Sequence, residues 1–351
     1  MKNTTLALFT ATLIGMSVFL TSCWEIVLPD DLEAYPVVYV GQQQGTIITG
    51  MGGTATYTVS TTNIAISQMG SVQWYEDANG TIPMNQFPFV LISASVSTGS
   101  ANRTLTVNIG GDSSSGTYYF RVTIDGIESN VGTLTIAEKN VSVGTQSGTL
   151  VEYTLGTTTF AVTTTHIANT QTGSVQWYND AYGVSLASAP PGITTSISTG
   201  SANRTLTMES IPQAQVQGTP PGTYYFRVYI DGVPSNIGTL TVSAKTVTVS
   251  AQSGTVGQLQ GGTATYTVTT THIATSEEGY VFWYADSAGT QYMMTPPQEI
   301  DFVNISVSTG STTRTLTMNI GSVAVGAART FYFRVTIDGV QSNVGVLTIV
   351  Q

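Results

Sequence analysis

Two histidines, His166 and His272, stand in the same phrase, TTTHIA. An imidazole titrating near neutrality can ligate a metal or act as a general base. At the matching place in STTNIA the residue is Asn63, and no acidic or histidine partner recurs beside either ring. The pattern reads as a polar residue closing a strand. Three aspartates, Asp77, Asp180 and Asp286, open the phrases DANG, DAYG and DSAG. Calcium would need six to eight oxygen ligands, and no dense acidic loop supplies them. Asp followed three residues later by Gly instead marks a type I turn. Arg103, Arg204 and Arg314 each precede an inward Leu-x-Val/Met, where a rim arginine would hydrogen-bond loop carbonyls. The single cysteine, Cys23, leaves the rest of the chain without a thiol nucleophile or a disulfide. No Gly-rich phosphate loop, recurring Ser-His-acid set or distinctive carboxylate pair is present. These residues predict a protein that is not an enzyme and holds no metal or other cofactor.

The framework around these residues is an internal repeat. Trp74, Trp177 and Trp283 are spaced 103 and 106 residues apart. Each is preceded by a phrase such as GTATYTVSTTNIA (53–65) and followed by STGSANRTLTV (97–107) or a close variant. Each unit closes on a version of GTYYFRVTIDGIESNVGTLTI (116–136). With 41% hydrophobic and 9% charged residues, the chain is too apolar for disorder. Its short alternating runs of Thr, Val, Ile and Tyr, broken by Gly, predict an all-β fold.

Around seven such runs per unit suit a β-sandwich. Val72-Gln73-Trp74-Tyr75 resembles strand C of an immunoglobulin domain. Gly116-Thr117-Tyr118-Tyr119-Phe120 resembles the Gly-x-Tyr-x-Cys start of strand F, with Phe120 in the cysteine's place. The resemblance implies that Val59 or Tyr57 faces Phe120 from strand B. The wording is similar to the cysteine-free immunoglobulin-like (Ig-like) repeats of bacterial surface proteins. Three tandem Ig-like β-sandwich domains are therefore expected, at 37–137, 138–244 and 245–351. Along strand F, Tyr118, Phe120, Val122 and Ile124 share one face. Asp125-Gly126 predicts a type I′ hairpin. Beyond it Leu134 and Ile136 fall on the opposite parity from Ile127, so a bulge is expected at Gly132. Phe331 stands where Tyr118 and Tyr224 do and cannot make a tyrosine corner.

This parity also defines a candidate binding face. Tyr119 and Arg121 point outward beside Tyr75 of strand C. The second unit supplies Tyr178, Tyr225 and Arg227, and the third Tyr284, Tyr332 and Arg334. Tyrosine and arginine dominate binding surfaces, so the face suits a glycan or protein ligand. Cross-strand stacking that only covers the sheet is the competing account. The variable loops are a second place for recognition; they include Phe87, Phe89, Met293 and Met294.

The N-terminus has a single Lys2 and then an apolar run from Leu6 to Leu20, short for a membrane span and in keeping with a secretory signal. Leu20-Thr21-Ser22-Cys23 resembles the lipobox of bacterial lipoprotein signals. That resemblance implies a signal peptide over 1–22, acyl chains on Cys23, and a lipidated tether over 23–36. The expected location is a bacterial membrane, outer membrane or cell surface, with the membrane itself as partner. A formal charge of −10 without any basic cluster argues against nucleic acid, whose phosphates would need neutralising. The joins at 133–143 and 239–249 carry no Gly/Ser or Pro run. The expectation is a non-catalytic, surface-anchored adhesion or ligand-binding rod. A carbohydrate-binding envelope protein, or a purely structural spacer, is the alternative.

Overall fold

The computed structural model describes residues 35–85, 92–211, 218–324 and 330–350. The signal peptide, Cys23, the tether as far as residue 34, Phe87 and Phe89 lie outside the described residues. Every regular element among the described residues is a strand. The chain forms two compact units, Met1–Ala137 and Glu138–Gln351.

The first unit contains β1 (Val37–Val40), β2 (Ile47–Ile48), β3 (Gly53–Thr62), β4 (Gly70–Tyr75), β5 (Ile92–Val96), β6 (Asn102–Ile109), β7 (Gly116–Ile124), β8 (Ile127–Glu128) and β9 (Gly132–Ala137). One sheet has the order β1-β3-β6-β5; the other runs β2-β9-β7-β4, with β8 paired to β7. All pairings are antiparallel except β2 with β9, which are parallel. This is an immunoglobulin-like sandwich. In β6, Arg103, Leu105, Val107 and Ile109 alternate inward, as a half-buried strand demands.

The core is built on rings where a disulfide would lie in an antibody domain. Tyr57 of β3 meets Phe120 of β7 edge-on, with ring centroids 5.0 Å apart. Trp74 lies 5.2 Å from the same phenyl. Of the two residues the sequence offered, Tyr57 supplies the ring contact, and Val59 is buried in the same core. Burying a phenyl contributes about 1.5–3 kcal/mol, and a ring pair adds about 0.5–1.5 kcal/mol. The Tyr57 hydroxyl donates to the Thr133 carbonyl at 2.9 Å. Burial pushes its pKa up.

The hairpin phrase folds as its glycines require. Asp125 and Gly126 have φ of 55° and 80°, the two left-handed residues of a type I′ turn. Ile124 pairs with Ile127 and Thr123 with Glu128, but further along Phe120 pairs with Gly132. One extra residue therefore lies on the returning strand, which changes the parity as expected. The role of Gly132 differs from the expected one. The extra residue precedes it, and a Cβ at Gly132 would come within 2.5 Å of the Phe120 ring. Gly132 is there because the phenyl lies on its backbone.

The second unit holds four sheets and two separate cores. In the repeat that begins at residue 140, Phe160 meets Phe226 at 5.0 Å and Trp177 meets it at 5.5 Å. In the repeat that begins at residue 246, Tyr266 and Trp283 meet Phe333 at 5.0 and 5.7 Å. Tyr118 and Tyr224 bond the carbonyls of Ser114 and Pro220 at 3.2 and 2.9 Å; Phe331 is buried without that bond. Between strands Gly238–Ser243 and Thr246–Val249, Lys245 bonds in both directions. Its backbone N–H donates to Glu152 Oε1 at 2.7 Å, and its Nζ reaches Asp338 Oδ2 at 2.6 Å.

Candidate functional site

The recurring polar residues hold the backbone together. Arg103 lies at 1% exposure inside the first core. Its guanidinium donates to the carbonyls of Gln68 and, at 3.0 Å, Ala65. Arg204 binds Gln171 and Ala168, and Arg314 binds Glu277 and Ala274, in the same way. The carbonyl partners match the sequence reading; the position does not, because these arginines are buried and not on a rim. Their place on the inward parity of the strand, in step with Leu105 and Val107, was the available signal.

Each of the three turn aspartates wraps its own loop. Asp77 accepts from the amides of Asn79, Thr81 and Ile82 at 3.1, 2.9 and 2.7 Å, and from the Thr81 hydroxyl at 2.9 Å. These bonds favour the ionised form. They lower the carboxyl's pKa, led by the Ile82 amide. Asp180 and Asp286 are lowered by the equivalent loop bonds, led by the Ser185 amide and the Thr290 hydroxyl respectively. No group of three or more potential ligand side chains capable of holding a metal occurs among the described residues. His166 and His272 both have φ of 57°, and Asn63 has 54°. Asn and His are among the side chains that enter this left-handed region most readily. The shared requirement is a backbone shape at the end of a strand.

One device escaped the sequence reading. The Asn130 amide bonds both backbone groups of Val40, with Nδ2 donating to O at 3.1 Å and Oδ1 accepting from N at 2.8 Å. Asn236 clips Val143 and Asn343 clips Val249 likewise. The repeated Ser-Asn of the closing phrase is the signal that could have revealed it.

Within each repeat the candidate residues lie on one face of that repeat's own sheet. Tyr75 pairs with Tyr119 and Gln73 with Arg121; Tyr178 pairs with Tyr225 and Gln176 with Arg227; Tyr284 pairs with Tyr332 and Phe282 with Arg334. Tyr75, Tyr178 and Tyr284 are buried, and their partners are half-buried. The arginines tie loops together. Arg121 donates to Ser129 O at 2.6 Å and to Asn79 O at 3.0 Å. Arg227 and Arg334 do the same with Ser235 and Tyr182, and with Ser342 and Ala288. In the second repeat Gln176, Tyr178, Leu186, Tyr229 and Asp231 line an open trough of about 510 Å³. Met293 packs against the third core, while Met294 is exposed.

No family model matches the chain, and no curated protein does. Among solved structures it is similar to the M1 domain from titin, at 19% identity over 29% of this chain and 94% of that one, with a TM-score of 0.18. It is also similar to the complex of Dpr11 IG1 with DIP-gamma IG+IG2, at 14% identity over 60% of this chain and 98% of that one, with a TM-score of 0.23. Similarity to domains 4–9 of the surface layer protein SbsC, at 12% identity, covers 90% of this chain and 47% of that one, with a TM-score of 0.23. The fold assignment rests on the chain's own strand order and register.

Proposed function

We propose that this protein is a non-catalytic, membrane-anchored surface lipoprotein whose Ig-like repeats serve adhesion or ligand binding. One observation carries the reading. The arginines, turn aspartates and Ser-Asn pairs that recur in all three repeats are engaged in bonds within the fold. Sequence variation is left to the loops and, on the outer face of the sheet containing strand C, to positions around a constant Tyr/Arg set. A constant scaffold under a variable surface is the usual division of labour in a recognition module. Acyl chains on Cys23 would supply the anchor, since more than one chain is needed for stable attachment. Replacing Cys23 by Ser tests this directly. The expected result is release of the full-length protein from the membrane fraction and loss of cell adherence to coated surfaces. Retention of detergent partitioning would refute the anchor. Equal adherence of cells with and without the protein would refute the adhesive role.

A further inference from the structure

The three repeats are nearly alike in their cores, yet the outer face of the third has diverged in one direction. Where the second repeat has Ser174, Gln176 and Leu186, the third has Tyr280, Phe282 and Tyr292. Tyr280 is 58% exposed and Tyr292 is 54% exposed. These rings do not complete a core, because the second repeat makes the same sandwich without them. Phe282 and Tyr292 stand 5.9 Å apart at 55°, and Tyr292 and Tyr284 stand 6.0 Å apart at 69°. The result is a row of tilted π-faces on an open sheet, with hydrogen-bonding groups at its margins. The Tyr280 hydroxyl donates to Glu278 at 2.8 Å, and Gln341 Nε2 donates to the Tyr284 hydroxyl at 3.3 Å.

We propose that the aromatic face centred on Tyr280, Phe282 and Tyr292 is a binding site for neutral carbohydrate. This rests on the binding role proposed above and assigns it to one repeat and one ligand class. A pyranose presents an apolar C–H face to stack on a ring and a rim of hydroxyls for polar neighbours. The row offers both kinds of contact. Charge selects the neutral class. Arg334 is the basic residue at this face, and its guanidinium is committed to the carbonyls of Ser342 and Ala288. It lies 5.8 Å from the Tyr284 ring centroid, on the sheet rather than reaching outward. The neighbouring carboxylate of Glu278 would repel sialylated or phosphorylated ligands.

The test gives the third repeat the face of the second. The full-length chain carrying Tyr280→Ser, Phe282→Gln and Tyr292→Leu should fold, because the second repeat folds with those residues at those positions. Wild-type and triple-variant chains are compared on an array of neutral glucose, galactose, mannose and N-acetylhexosamine oligosaccharides, and by thermal unfolding. Loss of aromatic stacking should weaken retention by about tenfold or more, with the unfolding curves overlaid. Absence of wild-type binding to every neutral sugar, or equal binding by both chains, overturns the inference. Binding to arrayed proteins that the triple variant loses would place a polypeptide there and also overturns it. Cell adherence that the triple substitution leaves intact defeats this site while the adhesive role stands.

Discussion

Arg103, Arg204 and Arg314 bury a permanent positive charge in each repeat, where loop carbonyls receive it. Removing the guanidinium takes away two charge-assisted bonds that tie an exposed loop to the strand. Arg204→Met, which keeps much of the side chain's length, should cost roughly 2–4 kcal/mol in urea unfolding of the full chain. A smaller change would mean that the loop finds water. The second repeat also lacks a bond that its sisters make. Tyr57 and Tyr266 donate to the carbonyls of Thr133 and Val346, whereas Phe160 has no hydroxyl. The Gln146 that would flank the new hydroxyl is already in place, bonded to Thr241. Phe160→Tyr is therefore expected to stabilise the second repeat by about 0.5–1.5 kcal/mol, seen as a rise in its melting temperature. The turn aspartates set an acid limit. Their pKa values are lowered in the folded chain, so the stability they contribute is present above about pH 4, the ordinary carboxylate range. It is lost as the pH falls through the lowered folded values. Combined Asp77→Asn, Asp180→Asn and Asp286→Asn should flatten stability against pH below pH 4 and leave a weaker protein at pH 7.

At the scale of elements, the ring cluster joining the two sheets fixes the order of mutational costs. Trp177 is buried against Phe226, and Trp177→Ala should cost about 3–5 kcal/mol. Trp74 is only half-buried, so Trp74→Ala should cost less; equal losses in denaturant titrations would show that the core is not graded in this way. Much of this level was legible in the sequence. Alternation placed Phe120, Val122 and Ile124 inward, Asp125-Gly126 named its turn, and the parity break before Leu134 announced an extra residue. Alternation assigns a residue to a face, however, and says nothing about what a long side chain reaches from there. Hence the bonds of Arg121 to Ser129 and Asn79 escaped it, and the face looked more available than it is. The clip of Asn130 on Val40 spans 90 residues of chain; the repeated Ser-Asn marks the donor residue, but its distant partner leaves no local pattern. Gly132 was recognised for the right place and the wrong reason, because a ring resting on a backbone leaves no mark in the residue's own neighbourhood.

For the molecule as a whole, the second unit shows how one repeat is fixed to the next. Lys245 is held by its backbone to Glu152 on one side and by its ammonium to Asp338 on the other. Glu152→Ala should leave each core intact and broaden the distances measured by paired spin labels on the repeats beginning at 140 and 246; an unchanged distribution would assign the geometry to other contacts. The parallel pairing of β2 with β9 has a mechanical consequence. Ile47 and Ile48 lie beside Ile136 and Ala137 near the two ends of their sandwich, and Leu150 and Val151 lie likewise beside Val242 and Ser243. Tension applied through the chain draws two parallel neighbours in opposite directions along their common axis. Their hydrogen bonds are then strained together, in shear, whereas a hairpin pulled from its open end unzips one bond at a time. A stretching load on either sandwich would therefore meet these short parallel pairs in shear.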